Sequence, residues 1–294
     1  MLSRVNQKLF GIIIVSVVAF GTLRFLIENI GMLEGDWTGL IMVAPLLIGS
    51  CTLFLKGRPI YPLYLGASVP LAVASSCVGF ILMLQNVSRT HEIQTATGLA
   101  LATLFWGGLF SSLGFIFSLS HDAEHEDSAI DKKLLAIMAS IPIVFVLFST
   151  YSAGSPIVFY LPEPLFIVVA PALVVIGTSK LRNRTAEIHV LLQLVIIGTL
   201  GAVVIALIKY LIALDLAANE DNHLVVGEAI AEGILGLFYG STILTVAAFC
   251  SYEGAFKKTH FLKLNWHLLE IFALWILMVF APLTLREYLM NPMS

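Results

Sequence analysis

An all-α membrane protein, with about nine transmembrane helices arranged as two parallel four-helix repeats plus one extra helix, is the fold class that three observations predict. The first is composition: 59% of the 294 residues are hydrophobic, 12% are charged, and mean hydropathy is +0.95. So little charge cannot cover the surface of a water-soluble domain, and the solvent must be lipid. The second is the length of the apolar runs. Crossing about 30 Å of hydrocarbon at about 1.5 Å per residue takes roughly 20 residues, and closed helices satisfy the backbone there. Nine such runs lie near 9–30, 38–56, 61–85, 97–119, 133–151, 156–179, 187–214, 226–250 and 267–285. The third is repetition: Leu-Phe-Trp-Gly at 104–107 returns as Leu-Phe-Tyr-Gly at 237–240, an offset of 133.

Taken in order, the segments alternate in the charge of their ends. Arg4 and Lys8 precede the first, which is too long for the apolar core of a secretory signal and reads as an uncleaved helix. Lys56 and Arg58 follow the second, Lys132 and Lys133 precede the fifth, and Lys180, Arg182 and Arg184 follow the sixth. Lys257, Lys258 and Lys263 precede the ninth. All of these fall on one side, while Glu28, Glu34, Asp36, Glu163, Asp215, Glu220 and Asp221 fall on the other, with Arg89 and Lys209 as its few cations. Basic residues are retained in the cytoplasm, so the N-terminus is expected inside and the C-terminus outside.

Further matched words set the size of the repeat. Val43-Ala44-Pro45 pairs with Val169-Ala170-Pro171, and Lys56-Gly57-Arg58 with Arg182-Asn183-Arg184, at an offset of 126 that becomes 133 later. The second unit therefore gains about 7 residues (133 − 126) near Leu214 to Leu224. Four crossings per unit is an even number, so both units run in the same sense and the duplication is parallel. The expected organisation is a first membrane unit at 1–128, a second at 129–252, and a loop with the last helix at 253–294.

The stretch Gly198-Thr199-Leu200-Gly201, then Val225-Val-Gly-Glu228-Ala-Ile-Ala-Glu232-Gly-Ile-Leu-Gly236-Leu-Phe-Tyr-Gly240, resembles the two pore-lining helices of the MotA/TolQ/ExbB proton channel family. In that family a Gly-Thr word opens the third helix, and an Ala-Glu pair followed by small residues and a glycine marks the fourth. The first unit keeps a weaker form, Ser75-Ser76-Cys-Val-Gly79 and Ala100-Leu-Ala-Thr103-Leu-Phe-Trp-Gly107. Leu268-Leu-Glu270-Ile-Phe-Ala-Leu-Trp, running to Ala281-Pro282, looks like the single helix of the ExbD/TolR/MotB partners, whose acid carries the proton within the ring of channel subunits. The resemblance implies proton conduction coupled to work in a complex of the bacterial cytoplasmic membrane, with a periplasmic C-terminus. Partners would be the lipid bilayer and further copies of the chain or other membrane proteins. The family's large cytoplasmic insertion is reduced here to Lys56–Pro62, which argues against a flagellar stator.

Residue chemistry gives these words two readings. A hydroxyl in a seam of small residues can serve a permeating proton, which makes Ser76, Thr103 and Thr199 candidates, or it can bond the carbonyl one turn back. Glu228 and Glu232 share a helix face. A carboxylate at membrane depth requires a cavity or a partner, so Glu232 is a proton-pathway candidate, whereas Glu228 reads as interfacial. Lys209 reads as a side chain that snorkels to the interface. Glu270 is either a proton carrier or an interfacial acid anchored with Trp266 and His267.

Other chemistry is sparse. Cys51, Cys77 and Cys250 lie in apolar segments without paired spacing and read as small packing residues. His121 and His125 stand four apart among acids, a spacing that could hold a metal but that reads as a solvated loop. A net charge of −3 spread over loops excludes nucleic acid as partner. No nucleophile elbow, phosphate loop or zinc word occurs, so neither an enzyme nor a resident cofactor is expected. Reporter fusions should be active outside the cell after Ser294 and inactive there after Arg58 or Arg182; a cytoplasmic C-terminus overturns the odd number of crossings.

Overall fold

The computed structural model describes residues 37–85, 90–119, 132–152, 161–182, 187–219, 223–251 and 262–277. The described residues form eight helices and no strand. They are α1 (Trp37–Leu55), α2 (Tyr61–Gln85), α3 (Thr90–Leu119), α4 (Lys132–Ser152), α5 (Pro162–Leu181), α6 (Ile188–Asn219), α7 (His223–Cys250) and α8 (262–277). Five stretches are long and apolar enough to cross a membrane: Tyr61–Ile81, Lys132–Tyr151, Pro162–Leu181, Ile188–Leu214 and Val226–Cys250. Shorter apolar stretches, Val43–Leu55 and Thr103–Ser118, lie in α1 and α3. The chain is thus an all-α, polytopic membrane protein. The segment expected at 9–30, the far part of that at 267–285, and the His121/His125 pair lie outside the described residues.

Helix boundaries depart from the apolar runs in a consistent way. α3 begins at Thr90 rather than 97, α7 at His223 rather than 226, α8 at 262 rather than 267, and α6 continues to Asn219. Hydropathy marks where lipid can surround the chain, whereas a helix continues for as long as its hydrogen-bond ladder propagates, here through polar turns such as Thr90-His-Glu-Ile-Gln94. α5 is the converse, starting at 162 instead of 156. Leu161 is extended (φ −69°, ψ 125°) and a proline occupies the first helical position, which lacks a need for an amide donor.

α2 lies at the centre, against α1, α3 and α7, and α7 in turn packs on α4, α5 and α6. Of the spanning stretches, Tyr61–Ile81 in α2 is 89% buried and Pro162–Leu181 in α5 only 17%, so α5 lines the perimeter with Phe166 and Val174 turned outward. α8 joins the centre through aromatics: Phe80 of α2 stands 6.3 Å from Phe272 and 5.6 Å from Trp275 between ring centroids. The α1–α2 connection closes tightly. Arg58 N–H donates to Leu53 O at 2.9 Å and Gly57 N–H to Phe54 O at 3.0 Å, with Gly57 at φ +64°. This is the Schellman arrangement, whose left-handed residue favours glycine.

Prolines inside four helices, Pro45, Pro70, Pro142 and Pro171, each leave a carbonyl without its amide donor, and lipid offers no water to replace it. Neighbouring helices approach two of these bends closely. Pro171 frees the carbonyl of Ile167, and Gly198 of α6 presses its backbone there; a Cβ at 198 would meet Val168 O and lie 2.9 Å from Ile167 O. Near the Pro70 bend, the buried Asn265 of α8 donates from Nδ2 to Leu65 O at 2.8 Å, and a Cβ at Gly114 of α3 would lie 2.6 Å from Leu65 N.

Gly198→Ala should therefore destabilise the protein by about 1–3 kcal/mol, the usual cost of overpacking. Gly201→Ala is the matched control, because its Cβ would meet only Ile167 Cγ2 at 3.8 Å, an ordinary contact. Unfolding of the two purified variants in detergent checks this, and equal stabilities would refute the close approach. Asn265→Leu should lose about 0.6–1.7 kcal/mol, the range for hydrogen bonds between membrane helices, in the same assay.

Candidate functional site: the seam between α6 and α7

α6 and α7 run antiparallel and meet along small residues at helical spacing. Thr199, Ala202 and Ala206 of α6 face Gly240, Gly236 and Gly233 of α7 in reverse order. A Cβ at Gly236 would lie 2.7 Å from Ala202 Cβ, and one at Gly240 would meet the Thr199 hydroxyl. Gly233 accommodates a third helix, since a Cβ there would lie 2.7 Å from Nε1 of the buried Trp275 in α8. Backbone contact at this range lets dispersion and weak polar contacts hold helices that lipid does not push together.

One step further along the same faces the seam ends in charge. Lys209 Nζ donates to Glu232 Oε2 at 2.6 Å, with side-chain exposures of 46% and 25%. Lys209 was expected to snorkel to the interface. Its side chain is 46% exposed and also meets Glu232, and an ion pair formed across two helices reduces the need for either charge to be solvated separately. The level of the pair follows from the Gly198–Val168 contact. α6 runs 11 residues from Gly198 to Lys209, about 16 Å, and α5 runs 6 residues from Val168 back to Pro162, about 9 Å. Lys209 therefore stands a little beyond the start of α5. That helix, 20 residues long, is just sufficient to cross the hydrocarbon. The pair belongs to the edge of the apolar layer, at the end opposite Lys56, Lys132 and Lys180.

The other expected residues divide among the elements. Thr199 is buried in the α6/α7 seam and donates to Val195 O at 2.8 Å; Ser76 is buried in α2 and donates to Ala72 O at 2.8 Å. Both hydroxyls thus bond the carbonyl one turn back. Thr103 is buried in α3, beside α2. Glu232 and Gly240, the neighbour of Thr199, are eight residues apart on α7, about 12 Å along one seam. Glu228 is exposed. Glu270 belongs to a different surface: it lies on the exposed face of α8 with Lys263, Trp266 and Leu274, where it bonds His267 Nδ1 at 3.0 Å.

Further polar groups lie on α7 past the seam. Below Gly240, α7 carries Ser241 and Thr245, both buried and bonded to Phe238 O and Ser241 O, and between them Thr242, whose buried Oγ1 has no partner. Their signal was in view as Gly240-Ser-Thr-Ile-Leu-Thr245, immediately after the repeated word. Tyr239 donates its hydroxyl to Leu161 O at 3.0 Å and so ties α7 to the start of α5. Cys77 is buried and Cys250 half-buried, but Cys51 is exposed on α1 and does not pack as expected. Among the described residues no group of three or more His, Cys, Asp or Glu could hold a metal ion.

Comparison of the chain with protein-family models, with curated proteins and with solved structures finds no match in any of the three. The resemblance to MotA/TolQ/ExbB channels therefore rests on the quoted words alone, and two of those words have packing roles here: Gly198 at the Pro171 bend and Gly233 beneath Trp275.

Proposed function

We propose that the chain is a proton-conducting subunit of a membrane complex, related in design to the MotA/TolQ/ExbB channels, with Glu232 as the carboxyl at the mouth of the path. The observation that carries this reading is the Lys209–Glu232 pair at 2.6 Å, set at the end of a seam of small residues that also holds the buried hydroxyl of Thr199. A carboxyl that shares a cation can release it when protonated and take it up again when ionised. That exchange is a means of passing a proton across the edge of the apolar layer.

The rest of the proposal follows the repeat. α1–α2, α2–α3 and α1–α3 pack together, and α5–α6, α6–α7 and α5–α7 repeat the pattern. This recurrence supports two parallel four-helix units within 1–128 and 129–252, nine crossings in all, an inside N-terminus and an outside C-terminus in a bacterial inner membrane. Glu270 faces out of the bundle, which suits a contact between copies or with another membrane protein. The second reading, a non-conducting scaffold or a small-solute permease, draws on the close meeting of Gly240 and Thr199, which leaves no room for a file of water at that level.

Proton flux into liposomes containing the purified chain separates the two. Glu232→Gln should cut the flux about tenfold or more, in keeping with the loss of a proton-transferring group. Glu270→Gln, tested beside it, reports whether conduction also uses the outward face of α8. Parent and Glu232→Gln fluxes that are equal, or an absent flux under any gradient, leave the scaffold reading in place.

A further inference from the structure

Among the described residues, a groove opens on the perimeter between α5 and α6. Pro162, Glu163 and Phe166 of the first turns of α5, with Ile167, form one wall; Ile205 and Lys209 of α6 form the other, around about 460 Å³. That volume falls within the range of about 300–1,000 Å³ that holds molecules of drug size. Its floor is apolar and its upper rim is charged, the pattern of a site for an amphiphile.

The charge of the rim selects the head group. The lining carries one carboxylate, Glu163, and one ammonium, Lys209, and the ammonium is offset from outside the lining by Glu232. Lys209 is already committed to Glu232 at 2.6 Å, whereas Glu163 forms no ion pair with any described residue. Glu163 lies in the first turn of α5, where the amide dipoles of a helix favour a negative charge. An anionic head such as a phosphate would have to displace Glu232 from Lys209 while lying against Glu163. A cationic head meets the Glu163 carboxylate, while the Lys209 charge across the groove is already offset by Glu232.

We infer that this groove binds a lipophilic cation, an amphiphile whose amine or onium head rests against Glu163 while its apolar part lies on Phe166, Ile167 and Ile205. The inference goes beyond proton conduction, since it concerns the perimeter of α5 and α6 and is read by binding alone.

Equilibrium binding of labelled tetraphenylphosphonium to the purified full chain in phosphatidylcholine nanodiscs tests it. Saturable binding is expected, with affinity about tenfold lower in Glu163→Gln, the effect of removing one favourable charge from a partly desolvated rim. Glu163 is exposed, so this variant keeps the fold; Ile205→Trp should block the groove, and Ile205→Ala, which empties rather than fills it, should still bind. Dodecylamine should displace the probe and dodecyl phosphate should not. Binding that is unsaturable in the parent, or of equal affinity in Glu163→Gln, overturns the inference. Equal displacement by the two amphiphiles also overturns it and makes the groove a slot for ordinary phospholipid tails.

Discussion

Helices in lipid gain nothing from hiding apolar surface from one another, so the fold depends on how closely their backbones can meet. Glycine sets that distance here. Gly114 brings α3 onto the backbone of α2 at Tyr64 and Leu65, Gly198 brings α6 onto α5, and Gly233, Gly236 and Gly240 bring α7 onto α6 and α8. Removal of a side chain at each point exchanges bulk for dispersion contact, and at Gly198 also for access to the Ile167 carbonyl that Pro171 leaves without its amide donor. The aromatic cluster of Phe80, Phe272 and Trp275 then fills what the glycines cannot, at the junction of α2, α7 and α8.

The same economy explains what could be read in the chain directly. Apolar runs of membrane length gave the class and placed most helices, since the hydrocarbon thickness leaves little choice. They did not give the polar turns at Thr90, His223 and residue 262, where the ladder outlasts the lipid, nor the late start of α5 after the extended Leu161. Ser76 and Thr199 were legible as back-bonding hydroxyls because that bond is local. The partnership of Lys209 with Glu232 was not, for it joins residues 23 apart on two helices, and only the register of the seam brings them together.

Two acids that looked comparable in sequence prove to occupy different situations. Glu232 meets a lysine across a helix pair, whereas Glu270 leans on His267 of its own helix and faces away from the bundle. A charge paired across two helices can be coupled to their relative position; a charge on an outer face can be coupled only to what lies beside the molecule.

Unequal helix lengths give the membrane itself a part in this arrangement. α5 has 20 residues and α6 has 32, a difference of about 18 Å along the axis, and the two are held in register by Gly198. The bilayer beside the short helix must thin or the longer helices must stand clear of it, at a cost of fractions of a kcal/mol per Å. Acyl-chain length consequently governs how far water reaches down α6 towards Lys209. In short-chain lipid the ion pair stands in the wet head-group layer, and in long-chain or sterol-stiffened lipid it is enclosed by hydrocarbon, where the attraction between the two charges strengthens and their separation slows. The host membrane thereby acts as a control on this pair without binding to it.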